Sequence, residues 1–207
     1  NVLDKIKPPA PVRGTMPTVE NLAADVDAFT SNVFLVTGDR TALVDTGANF
    51  DVVSAIDDRV DGLDAVVLTH THRDHVGNVE AVRSAFGVGT VGYDPTHPAV
   101  DAELGETVRL GDHDYAVLHT PGHKDDHVCL YAPDAGVCFA GDLVFAGGSF
   151  GRTDLEEGDR EALLRSIDRL LDSVAPDLAE LHTGHGPSVT TDAYETIERA
   201  GQAARRY

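Results

Sequence analysis

The stretch Ala65-Val66-Val67-Leu68-Thr69-His70-Thr71-His72-Arg73-Asp74-His75 joins a short apolar run to four metal-capable side chains within six positions. The apolar run has the length of a buried strand, so the four side chains are predicted to lie where that strand ends. Imidazole nitrogens and carboxylate oxygens are the donors that hold zinc or non-haem iron in catalytic sites. A histidine in a polar loop is often unliganded, but four such side chains in one turn favour a metal site.

Three other predicted strand ends carry residues of the same kind. Leu118-His119-Thr120-Pro121-Gly122-His123 and Leu181-His182-Thr183-Gly184-His185 place histidines directly after apolar residues. Phe139-Ala140-Gly141-Asp142 places a carboxylate in the same situation. Because these side chains come from several strand ends, we expect them to converge on one metal site at one edge of a sheet.

The order of the predicted elements favours mixed sheets that are covered by helices on their outer faces. Residues 33–36 and 42–45 flank a turn and predict a hairpin. Further strands are predicted at about 65–68, 106–110, 114–119, 128–132, 136–140 and 178–182, and helices at about 50–60, 76–86, 159–173 and from 192. Residues 1–20 are Pro-rich and predict an extended lead-in. No linker divides the chain, so we predict a single domain over residues 1–207.

The charge of the chain limits its partners and its setting. The 35 acidic residues outnumber the 16 basic ones and give a formal net charge of −19. This excess predicts a cytoplasmic protein of a salt-loving organism, because molar salt shortens the screening length to about 3 Å and removes most of the self-repulsion. No basic stripe is available to neutralise phosphates, so nucleic acid is not an expected partner. No apolar run approaches the roughly 20 residues that span a bilayer, and no signal-peptide pattern opens the chain, so no membrane partner is expected.

Five motifs in chain order resemble those of the metallo-β-lactamase superfamily. They are Asp45-Thr46-Gly47, His70 to His75, Pro121-Gly122-His123, Gly141-Asp142 and Gly184-His185-Gly186. The resemblance implies an α/β fold, the four-layer αββα sandwich, in which two mixed β-sheets pack together with helices on the outer faces. It also implies two metal sites at one edge of the sheets. The first would use His70, His72 and His123, the second Asp74, His75 and His185, with Asp142 as the bridge.

The segment from Phe145 to Leu155, followed by Gly158-Asp159, narrows the resemblance. It is similar to the branch that contains hydroxyacylglutathione hydrolases (glyoxalase II), their short relatives and the persulfide dioxygenases. The chain ends before the added helical region that helps full-length glyoxalase II enzymes to grip glutathione, and Lys124 replaces a usually small residue. Both departures argue against glutathione as the thiol carrier. Arg152 and Lys124 are candidates for substrate binding, although Arg152 could instead tie its loop to Asp154.

The residue types fit a hydrolase that uses two zinc ions. Three neutral imidazoles leave an open position where the pKa of a bound water falls from about 15.7 to about 7, and a bridging carboxylate offsets the repulsion of two ions roughly 3.5–4 Å apart. We therefore predict that metal-bound hydroxide cleaves a small anionic thioester, with Asp74 orienting the hydroxide and receiving its proton. Asp45 is expected to accept a hydrogen bond from a ligating imidazole, or to cap the turn at Thr46-Gly47.

Other readings of the same residues remain open. Iron (Fe2+) could replace zinc, and a persulfide dioxygenase with a single iron is the main alternative to the hydrolase. A nuclease, a lactonase and a non-catalytic metal-binding scaffold are less favoured. Among the remaining histidines, His97 and His113 lie in polar stretches and are predicted to be solvated, whereas His127 is predicted to be structural. The acyl group, the thiol carrier and the oligomeric state are not determined by the sequence.

The acidic composition also predicts a dependence of folding on salt. Transfer from molar salt into dilute buffer should reduce the secondary-structure signal in circular dichroism, because unscreened carboxylates repel one another. Stepwise dialysis measures this loss, and recovery of the signal when salt is restored serves as the control. An unchanged spectrum in dilute buffer would contradict the prediction.

Overall fold

The computed structural model describes residues 14–206. Most of the predicted lead-in, residues 1–13, lies outside this range. Within the remainder of the lead-in, Thr18–Asn21 forms the first strand, β1. This strand pairs with residues 34–37 in antiparallel orientation, a pairing that the sequence did not reveal. The extended lead-in over residues 1–20 stays a prediction. The single domain over residues 1–207 stays a prediction.

The first sheet has six strands. They are β1, Phe34–Thr37 (β2), Ala42–Val44 (β3), Ala65–Val67 (β4), Thr90–Gly92 (β5) and Ala102–Glu103 (β6), paired in this order. The first three strands are antiparallel, which confirms the predicted hairpin, and β3 to β6 are parallel. The sequence did not predict β5 or β6, because three and two residues are too few to show a period.

The second sheet has five strands and is also mixed. They are Thr107–Leu110 (β7), His113–His119 (β8), Val128–Ala132 (β9), Val137–Gly141 (β10) and Glu180–Thr183 (β13). Their order across the sheet is β13-β10-β9-β8-β7, with β13 parallel to β10 and the other neighbours antiparallel. A small hairpin of Val144–Phe145 (β11) and Ser149–Phe150 (β12) follows β10.

The helices lie close to their predicted positions. They are Val52–Asp57 (α1), Arg73–Val76 (α2), Val79–Phe86 (α3), Arg160–Ser173 (α4) and Ala193–Arg206 (α5). The carboxylate of Asp51 caps α1 and that of Asp159 caps α4, each by accepting a hydrogen bond from a backbone N–H in the first turn. Within residues 14–206, no helix is both long enough and apolar enough to cross a membrane.

Alternation along the central strands sorts the apolar side chains into layers. Val44 of β3 and Leu130 of β9 belong to the core between the two sheets. The neighbouring Leu43 belongs to the core beneath α1 and α3, whereas Cys129 and Tyr131 belong to the core beneath α4 and α5. Each sheet is therefore buried on both faces, which makes its central strands continuously apolar. The predicted four-layer αββα sandwich is confirmed.

One glycine fixes the distance between the second sheet and its covering helix. Gly122 follows β8 and has a φ of +133°, and its carbonyl accepts a hydrogen bond of 2.8 Å from the N–H of Asp159 at the start of α4. A Cβ at Gly122 would overlap the backbone of Leu163 in α4. The loop that carries His123 can therefore lie against α4 only because position 122 has no side chain.

This close approach predicts a large cost for one added methyl group. Gly122→Ala should lower the free energy of unfolding by about 2 kcal/mol or more, because alanine is strained at this φ and must also displace α4. Denaturant unfolding followed by circular dichroism measures the change. Gly62→Ala is the matched control, since no atom lies within 4 Å of a Cβ built there. Equal stabilities of the two variants would show that α4 can move freely.

Candidate metal centre

Five segments deliver polar side chains to one edge of the sandwich. They follow β4, β8, β10 and β13 or form the short helix α2. All seven residues predicted as metal ligands meet there, in three overlapping groups whose donor atoms lie within 4.8 Å of one another. The groups are His70, His72 and His123; His70, His75 and Asp142; and Asp74, His75 and His185.

The first predicted site is a cluster of three imidazoles. Nε2 of His70 lies 3.1 Å from Nδ1 of His72, which lies 2.9 Å from Nε2 of His123. His70 and His123 are buried, whereas His72 lines the adjoining cleft. Three ring nitrogens at these separations provide one face of a tetrahedral site and leave a further position open.

The second predicted site is joined to the first by Asp142. Its Oδ2 lies 3.4 Å from Nε2 of His123 and 3.4 Å from Nε2 of His185, while its Oδ1 lies 3.4 Å from Nε2 of His75. Asp74 completes this group, with its Oδ2 3.1 Å from Nε2 of His185. The carboxylate of Asp142 thus lies between the two groups of ligands, in the position expected of a bridge.

Asp45 orients two of the imidazoles from behind. Its Oδ2 accepts hydrogen bonds from Nδ1 of His75 at 2.8 Å and from Oγ1 of Thr69 at 2.7 Å. The Thr69 hydroxyl lies 3.1 Å from Nδ1 of His70. Because its own proton is donated to Asp45, its oxygen can accept a hydrogen bond from the Nδ1–H of His70. These bonds leave both Nε2 atoms free to face a metal. The carboxylate of Asp45 therefore orients predicted ligands. It accepts hydrogen bonds from Thr69 and His75 and does not cap the turn at Thr46-Gly47.

His127 holds the backbone of Asp142. Burial lowers the pKa of His127 to about 3, so the ring is neutral. Its Nε2 accepts a hydrogen bond of 3.0 Å from the N–H of Asp142, and its Nδ1 lies 2.8 Å from the hydroxyl of Thr120. The sequence predicted a structural histidine here, and the structure shows that the residue fixes a predicted ligand.

Gly184 leaves room for the carboxylate of Asp142. The N–H of Gly184 donates a hydrogen bond of 2.7 Å to the carbonyl of Gly141, which draws the loop after β13 against the end of β10. A Cβ at Gly184 would overlap Oδ1 of Asp142. Glycine is therefore required at this position because the backbone approaches a predicted ligand closely.

The first three imidazoles are neutral without a metal. Burial lowers the pKa of His70 well below its ordinary value, lowers that of His72 to about 4 and also lowers that of His123. Neutral imidazole is the form that binds a metal ion. This group therefore has its lone pairs available near neutral pH.

The second group carries balanced charges. Burial opposes protonation of His75, but the carboxylates of Asp45 and Asp142 outweigh it and raise the pKa well above its ordinary value. Burial is likewise outweighed at His185, whose hydrogen bonds to Asp142 and Asp74 raise its pKa to about 9. In turn these imidazoles lower the pKa of Asp142 and of Asp74 against the effect of burial. Without a metal, protons on His75 and His185 thus balance the negative charges of Asp74 and Asp142, as a bound cation would.

Two unsatisfied atoms support a metal at this place. Nε2 of His75 and Oδ1 of Asp142 are buried and have no hydrogen-bond partner among the described residues. Unpaired buried polar atoms are costly, and a bound ion is one of the partners that satisfy them. The mixed nitrogen and oxygen donors suit divalent zinc or iron.

The two groups open into a cleft of about 570 Å³. Apolar side chains from two loops and the β11–β12 hairpin line it: Phe29, Phe145, Phe150 and Leu155. The sequence singled out the segment of the last three but missed Phe29, which lies about 40 positions before the histidine cluster and carries no motif. Arg152 also lines the cleft, and its guanidinium pairs with both carboxylate oxygens of Asp154 at 2.7 Å. Both roles considered for Arg152 are therefore compatible with its position.

Lys124 is placed behind the ligand loops and is not among the residues that line the cleft. It is buried, pairs with Glu157, and has its Nζ 3.2 Å from Asp125 and 3.7 Å from Asp126. Asp126 in turn accepts a hydrogen bond of 2.5 Å from the hydroxyl of Thr71, which stands between two predicted ligands. In this arrangement the charge of Lys124 neutralises nearby carboxylates, one of which supports the ligand loop. Substrate binding by Lys124 stays a prediction.

His113 also departs from its prediction. It is buried at the start of β8, with Nδ1 2.8 Å from Oδ2 of Asp134, so it is not solvated. The partner lies 21 residues further along the chain, across a hairpin, and local polarity could not reveal it. His119 stacks on Tyr93, and His182 packs against aromatic rings between the sheets.

Comparison with known proteins agrees with the fold. A family model described as the metallo-beta-lactamase superfamily matches residues 26–99 and 90–185. A hydroxyacylglutathione hydrolase of Cereibacter sphaeroides is 36% identical over 151 residues, which are 70% of this chain and 57% of that protein. The hydroxyacylglutathione hydrolase GloC of Haemophilus influenzae is 31% identical over 192 residues, which are 80% of this chain and 90% of that protein.

A solved structure gives the same result. The crystal structure of TTHA1623 in a di-iron-bound form aligns with a TM-score of 0.69 at 30% identity, covering 90% of this chain and 98% of that one. The chain spans only 57% of the length of the Cereibacter relative but most of the other two. The resemblance found in the sequence is confirmed.

The charge balance of the site predicts how the metal-free protein takes up protons. In a proton NMR titration, His185 should lose its proton near pH 9, whereas His72 should not become protonated until about pH 4. Because the pKa of His185 is raised, its charge stabilises the metal-free fold below about pH 6.5, and this contribution disappears as the pH rises through about 9.

The same titration has a consequence for metal binding. Zinc must displace the proton of His185, so apparent zinc affinity should be lower at pH 7.5 than at pH 9.5. His72 is the internal comparison in the NMR experiment. If both histidines titrated together near pH 6.5, the proposed compensation of Asp142 and Asp74 by protons would be wrong.

Proposed function

Because the chain belongs to the metallo-β-lactamase superfamily, we propose that it is a hydrolase that uses two divalent metal ions, preferably zinc, to cleave a small anionic thioester. The observation that carries the proposal is that Asp142 lies between two groups of predicted ligands, within 3.4 Å of His75, His123 and His185. His70, His72 and His123 would hold one ion, and Asp74, His75 and His185 the other. Two such ions, when bound, activate a water molecule and polarise a carbonyl group.

Asp74 and Asp45 would have separate roles in the hydrolysis. Hydrolysis adds water across the bond between the acyl carbon and sulfur, and it yields a carboxylate and a thiol. Asp74 lines the cleft and is ionised at neutral pH, so its carboxylate can accept the proton that the water loses. Asp45 keeps the ring of His75 in the orientation that the site requires.

The cleft supports a small substrate with an apolar part. Its volume of about 570 Å³ is within the usual range for small-molecule sites, and aromatic rings form much of its wall. Phe145 and Phe150 stand on the hairpin that follows Asp142, so this wall is placed by the same strand as the bridge. Arg73 and Arg152 lie at the same opening and favour an anionic group.

The relatives support a thioester more than the other candidate bonds. Two of them are named hydroxyacylglutathione hydrolases, and the name describes hydrolysis of a glutathione thioester. The di-iron form of TTHA1623 supports iron as the second choice of metal. The sequence resemblance also includes persulfide dioxygenases, which use one iron. An experiment must therefore separate this alternative from the hydrolase. We also keep the cytoplasm of a salt-loving organism as the proposed setting.

The proposal is tested with the full chain purified without added metal and then loaded with zinc or iron. We expect two metal ions per chain and hydrolysis of S-lactoyl and S-acetyl thioesters, with kcat/KM at least tenfold above that for a β-lactam, a lactone or a phosphodiester. Metal analysis gives the stoichiometry, and release of free thiol gives the rate. Oxygen uptake with glutathione persulfide is measured in parallel.

Two variants control this assay. Asp142→Ala should lose bound metal and lower activity by more than about 100-fold, because it removes the bridge between both groups. Asp172→Ala removes one exposed carboxylate from α4 and should change neither. One iron per chain with oxygen uptake would overturn the hydrolase in favour of the dioxygenase, and inactivity on every substrate would favour a non-catalytic metal-binding protein.

A further inference from the structure

Arg73 occupies an unusual position for a cation. It stands between two predicted metal ligands in sequence, and its side chain is exposed at the mouth of the cleft. Among residues 14–206 its guanidinium makes no ion pair and no hydrogen bond. The other arginine of the cleft, Arg152, already has its fork occupied by Asp154. Among the described residues that line the cleft, Arg73 is therefore the arginine whose guanidinium has no partner.

A second cavity is also lined by Arg73 and Asp74. Its volume is about 340 Å³, and it is lined by Phe29, Ala48, Asn49, Arg73 and Asp74. Three of these residues also line the main cleft, so the two cavities are lobes of one site. We call the smaller one the Arg73 lobe.

The wall between the lobes is held in place. The ring of Phe29 stacks on that of His185, with centroids 6.5 Å apart and an interplanar angle of 23°. On the opposite side, Nδ2 of Asn49 donates a hydrogen bond of 2.7 Å to the carbonyl of Phe29. The ring of Phe29 is 76% exposed and lines both lobes. The Arg73 lobe thus has an apolar wall beside a guanidinium that has no partner among the described residues.

Charge makes this lobe selective. The chain carries a formal net charge of −19, so an anion that approaches the cleft meets repulsion on most of the surface. Asp74 also lines the lobe, but its Oδ2 is directed to Nε2 of His185 at 3.1 Å. The fork of a guanidinium matches a carboxylate, which it binds through two parallel hydrogen bonds.

We infer that the Arg73 lobe is a subsite for a carboxylate of the substrate, with Arg73 as the residue that determines specificity for it. This inference deepens the proposed function and rests on it. The carboxylate belongs either to the thiol half of the thioester or to its acyl half. In both cases the reacting carbonyl lies at the two groups of ligands while the carboxylate extends past Asp74.

The experiment compares three thioesters on the zinc-loaded chain. S-acetyl-3-mercaptopropionate carries the carboxylate on the thiol half, S-glutaryl-N-acetylcysteamine carries it on the acyl half, and S-acetyl-N-acetylcysteamine is uncharged. Arg73→Gln should lower kcat/KM about 10- to 100-fold for one of the charged substrates, because a charge-assisted hydrogen bond is lost. The loss should appear in KM with kcat nearly unchanged, and the uncharged substrate should stay within about threefold.

Matched variants separate recognition from general charge. Arg165→Gln removes one exposed positive charge from α4 and should leave all three substrates unchanged. Arg73→Lys keeps the charge but not the fork and should recover only part of the loss. An equal loss on charged and uncharged substrates would make Arg73 a structural residue, and no loss on any substrate would leave the lobe without this role. Either result overturns the inference.

A binding measurement keeps the inference testable if the protein cleaves no thioester. 3-(Methylthio)propionate has the carboxylate but no reactive bond, and its methyl ester lacks the charge. Isothermal titration should show that the acid binds the zinc-loaded protein about 10- to 100-fold more weakly after Arg73→Gln, with the ester unaffected. Equal binding of the acid to both proteins, or no binding to either, overturns the subsite. Absence of thioester hydrolysis alone overturns only the proposed function.

Discussion

The constraint on which the structure depends is the mutual repulsion of lone pairs and carboxylates brought together at one edge of the sandwich. Seven donors meet within a few ångströms, and two of them, Asp74 and Asp142, carry negative charge. Without a cation, protons on His75 and His185 provide the balance. The rest of the fold has to hold these groups against their tendency to separate. It does so with two sheets that are buried on both faces, so that each strand end is fixed from two sides.

The predicted ligands are themselves held by hydrogen bonds from neighbouring residues. Asp45 and Thr69 set the rings of His75 and His70, while His127 sets the backbone of Asp142. These supporting groups lie next to the ends of strands of both sheets, so both sheets contribute to the placement of the predicted ligands. The buried ion pairs around Lys124 extend this support to the loop after β4.

Much of the fold was predictable because its signals are local. The long strands of the second sheet and the helices α1, α4 and α5 were predicted within a few residues, since apolar period and turn residues mark them. The strands β1, β5 and β6 were missed because they are formed by pairing with residues distant in sequence. The ligand set came from motifs that end strands, whereas the partners of His113 and Lys124 could not be read from neighbouring residues. Arg73 and Phe29 were missed as a pair for the same reason, because only the folded chain brings position 29 beside position 73.

The glycine beside the bridging carboxylate has a consequence for how this protein can diverge. At position 184 every other L-amino acid would evict Oδ1 of Asp142 from its place. Mutation at this position in the loop after β13 is therefore strongly restricted, although connecting loops generally tolerate change. Divergence toward new substrates has more room at cleft side chains that do not contact a predicted ligand, such as Leu155.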